Sequence, residues 1–241
     1  MNDINGILVV NKPEGWTSHD VVKKTRNIFG GIKVGHTGTL DPMATGVLVL
    51  LIGIATKKAN IFENDLKRYL AEVTFGRATN TYDRTGETTA VGDPKIVNIN
   101  NLKTVLKSLA GESEQLPPMF SAIKIGGKKL YKLARAGKTI ERKPRKIKIY
   151  SIKSDLTDYP RIMLDIECSK GTYIRSIAHQ LGKMVDCPAH LSALQRTASG
   201  KYLIKDAVDF LSLIESAETG NMEQFVRPII NYGKKYEGNK K

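Results

Sequence analysis

The segment Gly35-His36-Thr37-Gly38-Thr39-Leu40-Asp41-Pro42 places an imidazole, two hydroxyls and one carboxylate among glycines and a proline. So many turn-forming residues in a row make a loop. Pro42 steers Asp41 away from the helical region, which would set its carboxylate on an extended, pre-shaped piece of backbone. Gly38 permits close approach of that backbone to a ligand. Two readings of Asp41 are open: a plain turn former, or a catalytic carboxylate. His36 is similarly open between a loop hydrogen bonder and a nucleic-acid contact. Arg175 is the next candidate, in the first turn of an expected helix after Gly171-Thr172-Tyr173 and one position off its apolar stripe. It can reach across to a buried carboxylate and keep it ionised; on local features a surface arginine is the commoner arrangement. Tyr69 falls on the apolar face of an expected strand. Core packing is the default for such a tyrosine. The competing role is an aromatic platform for a nucleobase, worth about 1–3 kcal/mol per base.

Other chemistries are poorly served. Gly137-Lys138-Thr139 is reminiscent of a phosphate loop, but Lys132 stands where its leading glycine belongs. Neither a Gly-x-Ser-x-Gly elbow nor a His-Glu-x-x-His helix occurs. Cys168 and Cys187 make no disulfide framework, and the histidines at 19, 36, 179 and 190 have no zinc-ligand spacing. No metal and no cofactor are expected.

The elements that must position these residues follow from periodicity. Ile7–Val10 reads as a short strand. Thr17 or Ser18 can cap a helix carrying Val21, Val22, Ile28 and Phe29, ended by Gly30 and Gly31. Val47–Ile52 is a buried strand or a buried helical piece, which periodicity does not separate. Tyr69, Ala71, Val73 and Phe75 alternate as a strand does, and so do Ile162, Leu164, Ile166 and Cys168. Helix spacing relates Leu102, Val105, Leu106 and Leu109, then Ile174, Ile177, Ala178 and Leu181, and finally Ala207, Phe210, Leu211 and Ile214. Strands and helices mix without a regular βαβ beat. The fold class is therefore α+β, with a mixed or largely antiparallel central sheet and flanking helices.

The chain of 241 residues carries 38 basic and 24 acidic residues, a net charge of +14. A field of that sign favours a polyanionic partner. Between Ile123 and Tyr150 eleven Lys or Arg residues meet the single acidic Glu141, a local excess of +10. Leu130, Tyr131, Leu133, Ile147, Ile149 and Tyr150 are interleaved, so this block can fold and present its cations to phosphates. A membrane surface is the weaker alternative: the longest apolar run, Val47–Ile52, is too short to span a bilayer, and the first residues lack the features of a signal peptide. A cytoplasmic protein is expected.

Taken in order, the motifs resemble one family, the bacterial tRNA pseudouridine-55 synthases or TruB family. The resemblance runs from about Gly6 to Pro228. Lys12-Pro13-Glu14-Gly15-Trp16-Thr17-Ser18 is similar to the family's opening, and Gly35 through Leu48 resembles its catalytic loop almost residue for residue. Lys67-Arg68-Tyr69 matches the strand of the active-site tyrosine. Pro117-Pro118-Met119-Phe120-Ser121-Ala122-Ile123-Lys124, continuing through Gly127, Tyr131 and Ala134-Arg135-Ala136-Gly137, resembles the tRNA-gripping insertion. Gly171-Thr172-Tyr173-Ile174-Arg175 and Leu194-Gln195-Arg196-Thr197 match later motifs.

The resemblance implies a pseudouridine synthase fold over 1–230, with the insertion at about 117–150 and a short basic tail at 231–241. It implies Asp41 as the essential carboxylate, with His36 helping the base swing out and Tyr69 stacking on the flipped uracil. Tyr173 and Leu194 would line the pocket, Arg175 would pair with Asp41, and Lys124, Lys128, Lys129, Lys132 and Arg135 would grip RNA. The implied reaction isomerises a uridine in the T loop of tRNA: the base is flipped, cut from its ribose, rotated and re-attached through carbon 5. Attack on C1′, attack on C6 of the uracil and a glycal route are all open for Asp41. The implied partner is the tRNA T stem-loop, met by a monomer without an obligatory protein partner. An RNA-guided relative and a non-catalytic tRNA chaperone or binding module are the alternatives. Two departures stand out: Gln195 occupies a place where the family often has a basic residue, and too few residues follow Ile230 for the PUA-type domain that members commonly carry.

Overall fold

The computed structural model describes residues 4–63 and 65–228. In chain order its elements begin with β1 (Gly6–Lys12), α1 (Ser18–Ile28), β2 (Val34–His36), β3 (Thr45–Ile52), α2 (Ala59–Glu63), β4 (Lys67–Phe75), β5 (Arg77–Thr79) and β6 (Thr88–Val91). They continue with α3 (Ile99–Ser108), β7 (Gly111–Gln115), β8 (Lys124–Ile125), β9 (Lys128–Lys129), α4 (Leu130–Arg135) and β10 (Arg145–Asp155). The last are β11 (Arg161–Cys168), α5 (Ile174–Met184), β12 (Ala189–Ser199), β13 (Tyr202–Leu203), β14 (Val208–Asp209) and α6 (Phe210–Glu218). The described residues form two compact units, one within 1–68 and 195–241, the other within 69–194. The tail expected at 231–241 lies outside the described residues.

In the first unit the strand order is β14-β1-β3-β12. β1 and β3 pair antiparallel along their length, from Gly6 opposite Ile52 to Lys12 opposite Gly46. Ile7 to Val10 and Val47 to Ile52 are all buried. Val47–Ile52 is thus a strand covered on both faces, which is why its apolar run shows no alternation. The other edge of β3 is shared. β12 pairs parallel with its beginning, Gln195 opposite Thr45 and Arg196 opposite Gly46. β2 pairs antiparallel with its end, Val34 opposite Ile52 through His36 opposite Leu50. The loop of residues 37–44 therefore leaves β2 and enters β3 beside the same edge that β12 occupies. Thr17 caps α1 in a capping box with Asp20, its side chain accepting from the Asp20 N–H while the Asp20 carboxylate accepts from the Thr17 N–H.

In the second unit the order is β12-β4-β11-β10-β7. Tyr69, Ala71, Val73 and Phe75 are buried on one face of β4, and Ile162, Leu164, Ile166 and Cys168 on one face of β11. Strand β10 pairs antiparallel with β11 and β7, so residues from Arg145 onward run in the sheet. The sheet pairings are mixed and largely antiparallel, as expected of α+β. Leu102 and Leu106 of α3 and Ile174, Ile177, Ala178 and Leu181 of α5 are buried, as their spacing requires. The stripe expected for the last helix is corrected: α6 starts only at Phe210, and it buries Phe210 and Leu213 while Leu211 is half exposed. Asp209 caps it, accepting from the N–H groups of Leu211 and Ser212, and this sets its start three residues after Ala207.

Candidate active site

Asp41 opens a β-turn. The Ala44 N–H donates to the Asp41 carbonyl at 3.0 Å, with Pro42 at the second position, where its fixed φ suits a turn. The turn-former reading is therefore right, and it supplies the rigidity that a working carboxylate needs. Leu40, Met43 and Ala44 are buried around it, while Asp41 itself is half-buried.

Three side chains from other elements hold this loop by its backbone. Lys12, at the end of β1, is fully buried, and its ammonium donates to the carbonyls of Pro13 at 2.8 Å, Trp16 at 2.7 Å and Pro42 at 3.3 Å. Burial pushes that ammonium down to about 8, and the Asp41 carboxylate is the strongest opposing influence. Ser18, in the first turn of α1, accepts from the Leu40 N–H at 2.8 Å and donates to the Leu40 carbonyl at 3.1 Å. The Gly15 N–H adds a bond to the Pro42 carbonyl at 2.8 Å. The Lys12–Ser18 motif is thus a bracket for the Asp41 turn.

Arg196 closes the bracket from β12. Only 2% exposed, it donates from Nε to the Val47 carbonyl at 2.7 Å, from Nη2 to the Gly38 carbonyl at 3.0 Å and from Nη1 to the Thr39 carbonyl at 3.4 Å. Gly46 lets the strands meet at this place. Its φ is +102°, and a Cβ there would sit 2.8 Å from the Arg196 backbone nitrogen, which no side chain tolerates. At Gly38 a Cβ would meet only ordinary contacts, the nearest being Arg196 Nη1 at 3.5 Å.

His36 ends β2, and its Nδ1 accepts from the Gly38 N–H at 3.3 Å. That bond leaves the proton of the neutral ring on Nε2. Burial, aided by the Arg196 charge, holds the imidazole below its ordinary range and so keeps it neutral at neutral pH.

The second unit carries Tyr69, Tyr173, Arg175 and Leu194. Tyr69 lies at the start of the buried face of β4, and Leu194 is buried on β12, the neighbouring strand. Tyr173 is the N-cap of α5. Gln115 fixes it by both amide groups, accepting from its N–H at 2.7 Å and donating to its carbonyl at 3.1 Å. Arg175 is only 3% exposed, so the surface reading of this residue is corrected. Its Nε faces the Asp83 carboxylate at 3.7 Å, Nη1 donates to the Thr81 carbonyl at 3.0 Å and Nη2 to the Phe120 carbonyl at 2.9 Å.

Asp83 is a residue that the sequence reading passed over. Its carboxylate accepts from the hydroxyls of Thr81 at 2.7 Å and Thr85 at 2.6 Å and from the Thr85 N–H at 3.0 Å. The available signal was a threonine two residues to either side of an aspartate, an arrangement that favours a self-bonded turn. A carboxylate so satisfied can sit buried beside a guanidinium.

The basic insertion folds as expected of its interleaved apolar residues. Gly126 and Gly127, both at positive φ, join β8 to β9, and fully buried Leu130 anchors α4. Arg142 donates to the Pro117 carbonyl at 2.9 Å and closes its base. Lys124, Lys128, Lys132 and Arg135 are exposed and Lys129 is half-buried; Lys129 and Arg135 lie 5.8 and 5.5 Å from the Tyr131 ring centroid. Among the described residues no group of three or more His, Cys, Asp or Glu side chains is placed to hold a metal, and no helix is long and apolar enough to cross a membrane.

Comparison with known proteins gives this geometry a family. The chain is 45% identical over 205 residues to a tRNA pseudouridine synthase B of Syntrophotalea carbinolica, covering 85% of this chain and 67% of that protein. It is 44% identical over 232 residues to one of Listeria innocua, covering 94% and 76%. Among solved structures it is similar to a chain of a Cbf5-Nop10-Gar1 complex, with a TM-score of 0.72 and 27% identity, covering 94% of this chain and 60%, less than two thirds, of that one. Residues 26–174 match the N-terminal domain of the TruB family pseudouridylate synthases. The chain belongs to the TruB family of pseudouridylate synthases.

Proposed function

We propose that this protein converts a uridine of tRNA, the one at position 55 in the T loop, to pseudouridine, with Asp41 as the essential carboxylate. The observation that carries this reading is the bracketed turn. Lys12, Ser18 and Arg196 turn buried polar groups onto backbone atoms of residues 38–42, and a turn held from three sides keeps the Asp41 side chain in one place, as a working carboxylate requires. The names of the relatives, tRNA pseudouridine synthase B, support tRNA as the substrate.

In this reading the T-loop uridine leaves its stack and enters the site base first. Tyr69 gives the uracil an aromatic face, with Tyr173 and Leu194 as its walls. His36, neutral and carrying its proton on Nε2, donates to the RNA as the base swings out. Arg175 pairs with Asp41 and holds it ionised, and Asp83 in turn orients the guanidinium. The N1–C1′ bond breaks, the uracil rotates and C5 bonds to C1′. The proton lost from C5 is matched by one gained at N1, so the reaction is an isomerisation. Lys124, Lys128, Lys129, Lys132 and Arg135 hold phosphates and recognise the folded loop by shape. The protein acts as a cytoplasmic monomer on bare tRNA without a guide RNA.

The test is to map pseudouridine in a tRNA transcript after incubation with wild-type protein and with Asp41→Asn. Wild type is expected to modify position 55 and the variant to bind the transcript without modifying it. An active Asp41→Asn would refute the assigned role. A strict need for a guide RNA would favour the RNA-guided alternative, and tight binding without any turnover by wild type would favour a chaperone.

A further inference from the structure

The turn that carries Asp83 holds a bulky residue in an uncommon backbone conformation. Tyr82 has φ +65°, in the left-handed region that strains a bulky side chain and costs glycine nothing. Strain of this kind persists only where the surroundings over-determine it, and it concentrates at working sites. The Tyr82 ring lies flat on the imidazole of His179, with centroids 3.9 Å apart and planes 11° from parallel. His179 follows Arg175 by four residues on α5, so both belong to one face of that helix. Burial keeps the imidazole below its ordinary range and therefore neutral at neutral pH. Its Nδ1 is buried and meets no hydrogen-bond partner among the described residues, so that atom does not fix the ring, whereas the stack constrains its plane.

The backbone around Tyr82 is tied as well. The Leu191 N–H donates to the Tyr82 carbonyl at 3.0 Å, and the Arg84 N–H donates to the Leu191 carbonyl at 2.9 Å. The residues on either side of Tyr82 are the ones that hold Arg175, Thr81 by its carbonyl and Asp83 by its carboxylate. The strained residue thus stands between two of the partners of the buried guanidinium, Phe120 being another.

We propose that Tyr82 is a positioning residue: its stack on His179 clamps the turn of residues 81–83 to α5 and so fixes Arg175. The clamp rests on this geometry; its consequence for turnover rests on the pseudouridine synthase reading above. With the ring removed, residue 82 keeps its backbone bonds, its N–H to the Thr79 carbonyl at 3.2 Å and its carbonyl to the Leu191 N–H at 3.0 Å, and Asp83 keeps its threonine bonds. The turn loses its stack against α5, so the Thr81 carbonyl and the Asp83 carboxylate shift together relative to the guanidinium.

The test compares Tyr82→Gly, Tyr82→Phe, His179→Leu and the Tyr82→Gly/His179→Leu pair on a tRNA transcript, with kcat, KM and the exchange rate of the Arg175 Nε proton by NMR. Tyr82→Gly accepts the positive φ without strain, so its unfolding midpoint should hold while kcat falls roughly three- to tenfold, the range an aromatic pair is worth, with KM within about twofold. Tyr82→Phe keeps the stack and should retain kcat. His179→Leu leaves the turn sequence intact, should lose kcat to the same extent, and decides the matter if Tyr82→Gly unfolds early. The double variant should be no worse than either single one, since both open one clamp. Wild-type kcat in Tyr82→Gly and His179→Leu, or additive losses in the double variant, would overturn the proposal. The Arg175 Nε proton should exchange faster in both single variants; equal exchange overturns the clamp even if tRNA is not the substrate. Failure of wild type to modify the transcript refutes only the tRNA reading.

Discussion

Replacing Arg196 by methionine asks how much the loop bracket is worth. Methionine fills a similar volume but offers no donor, so the carbonyls of Val47 and Gly38 lose bonds of 2.7 and 3.0 Å, and the longer contact to Thr39 is lost as well. A buried carbonyl left without a donor costs about 1–3 kcal/mol, so the two short bonds set a loss of roughly 2–6 kcal/mol. Against this, the variant no longer buries a charge, and removing a desolvated cation returns part of the cost. Arg196 is only 2% exposed and its short bonds all go to neutral acceptors, so the return is real but smaller than the loss. The net expectation is a destabilisation of about 2–4 kcal/mol, read as a lower urea midpoint at unchanged m-value. Function should suffer more than stability. Thr39 lies two residues before Asp41, and a slip of about 1 Å in a catalytic group costs on the order of 100-fold in rate. Pseudouridine formation measured at a temperature where the variant is fully folded should fall by about that factor, with little change in transcript binding. Arg196→Met within about 1 kcal/mol of wild type and within threefold of its rate would refute the bracket.

Three further outcomes follow from the same geometry. Lys12 has a folded-state value of about 8 against 10.5 when unfolded, so between those values the unfolded chain holds more protons and stability gains with rising pH; relative to Lys12→Met, wild type should gain up to about 3 kcal/mol from pH 8 to 10.5, measured by denaturant titration, and a flat difference would remove Lys12 from its buried place. His36 is shifted downward, so its contribution is complete above its unfolded value and is lost as pH falls through the folded one; His36→Asn, which retains an acceptor near the Gly38 N–H, should flatten that acid limb of stability, and an unchanged limb would assign it elsewhere. Changing Lys128, Lys129 and Lys132 to glutamine should reduce the slope of log affinity against log salt by roughly 2 for a tRNA transcript, and an unaltered slope would move the RNA footprint off the insertion.

What could be read from residues alone divides by mechanism. Alternation disclosed β4 and β11 because each has one buried face, Tyr69 to Phe75 and Ile162 to Cys168. It failed for Val47–Ile52, where both faces are buried and the period vanishes. Periodicity places the last helix too early, because Ala207 and Leu211 keep helical spacing with Phe210 while the Asp209 cap fixes where the helix starts and Leu213 is the residue that faces inward. The site residues that were legible are those whose type suggests chemistry: Asp41 in its glycine-rich loop, His36 beside it and Tyr69 on an apolar face.

The residues that escaped local reading share a different property. Lys12 and Arg196 act on backbone carbonyls and Ser18 on a carbonyl and an N–H. A carbonyl is present at every position and has no sequence signature, so a buried cation that binds one looks in sequence like any surface lysine or arginine. The same physics makes such residues hard to replace. Arginine supplies a planar fork of donors at fixed angles, and lysine three donors from one point, so neither substitutes for the other where several carbonyls converge. In this chain the carboxylate assigned to chemistry sits on a turn of four residues, while the groups that immobilise it come from β1, α1 and β12, the last more than 150 residues away along the chain. A family match over nearly the whole length is then what the physics requires, because a loop such as residues 35–46 is of use only together with the distant donors that hold it.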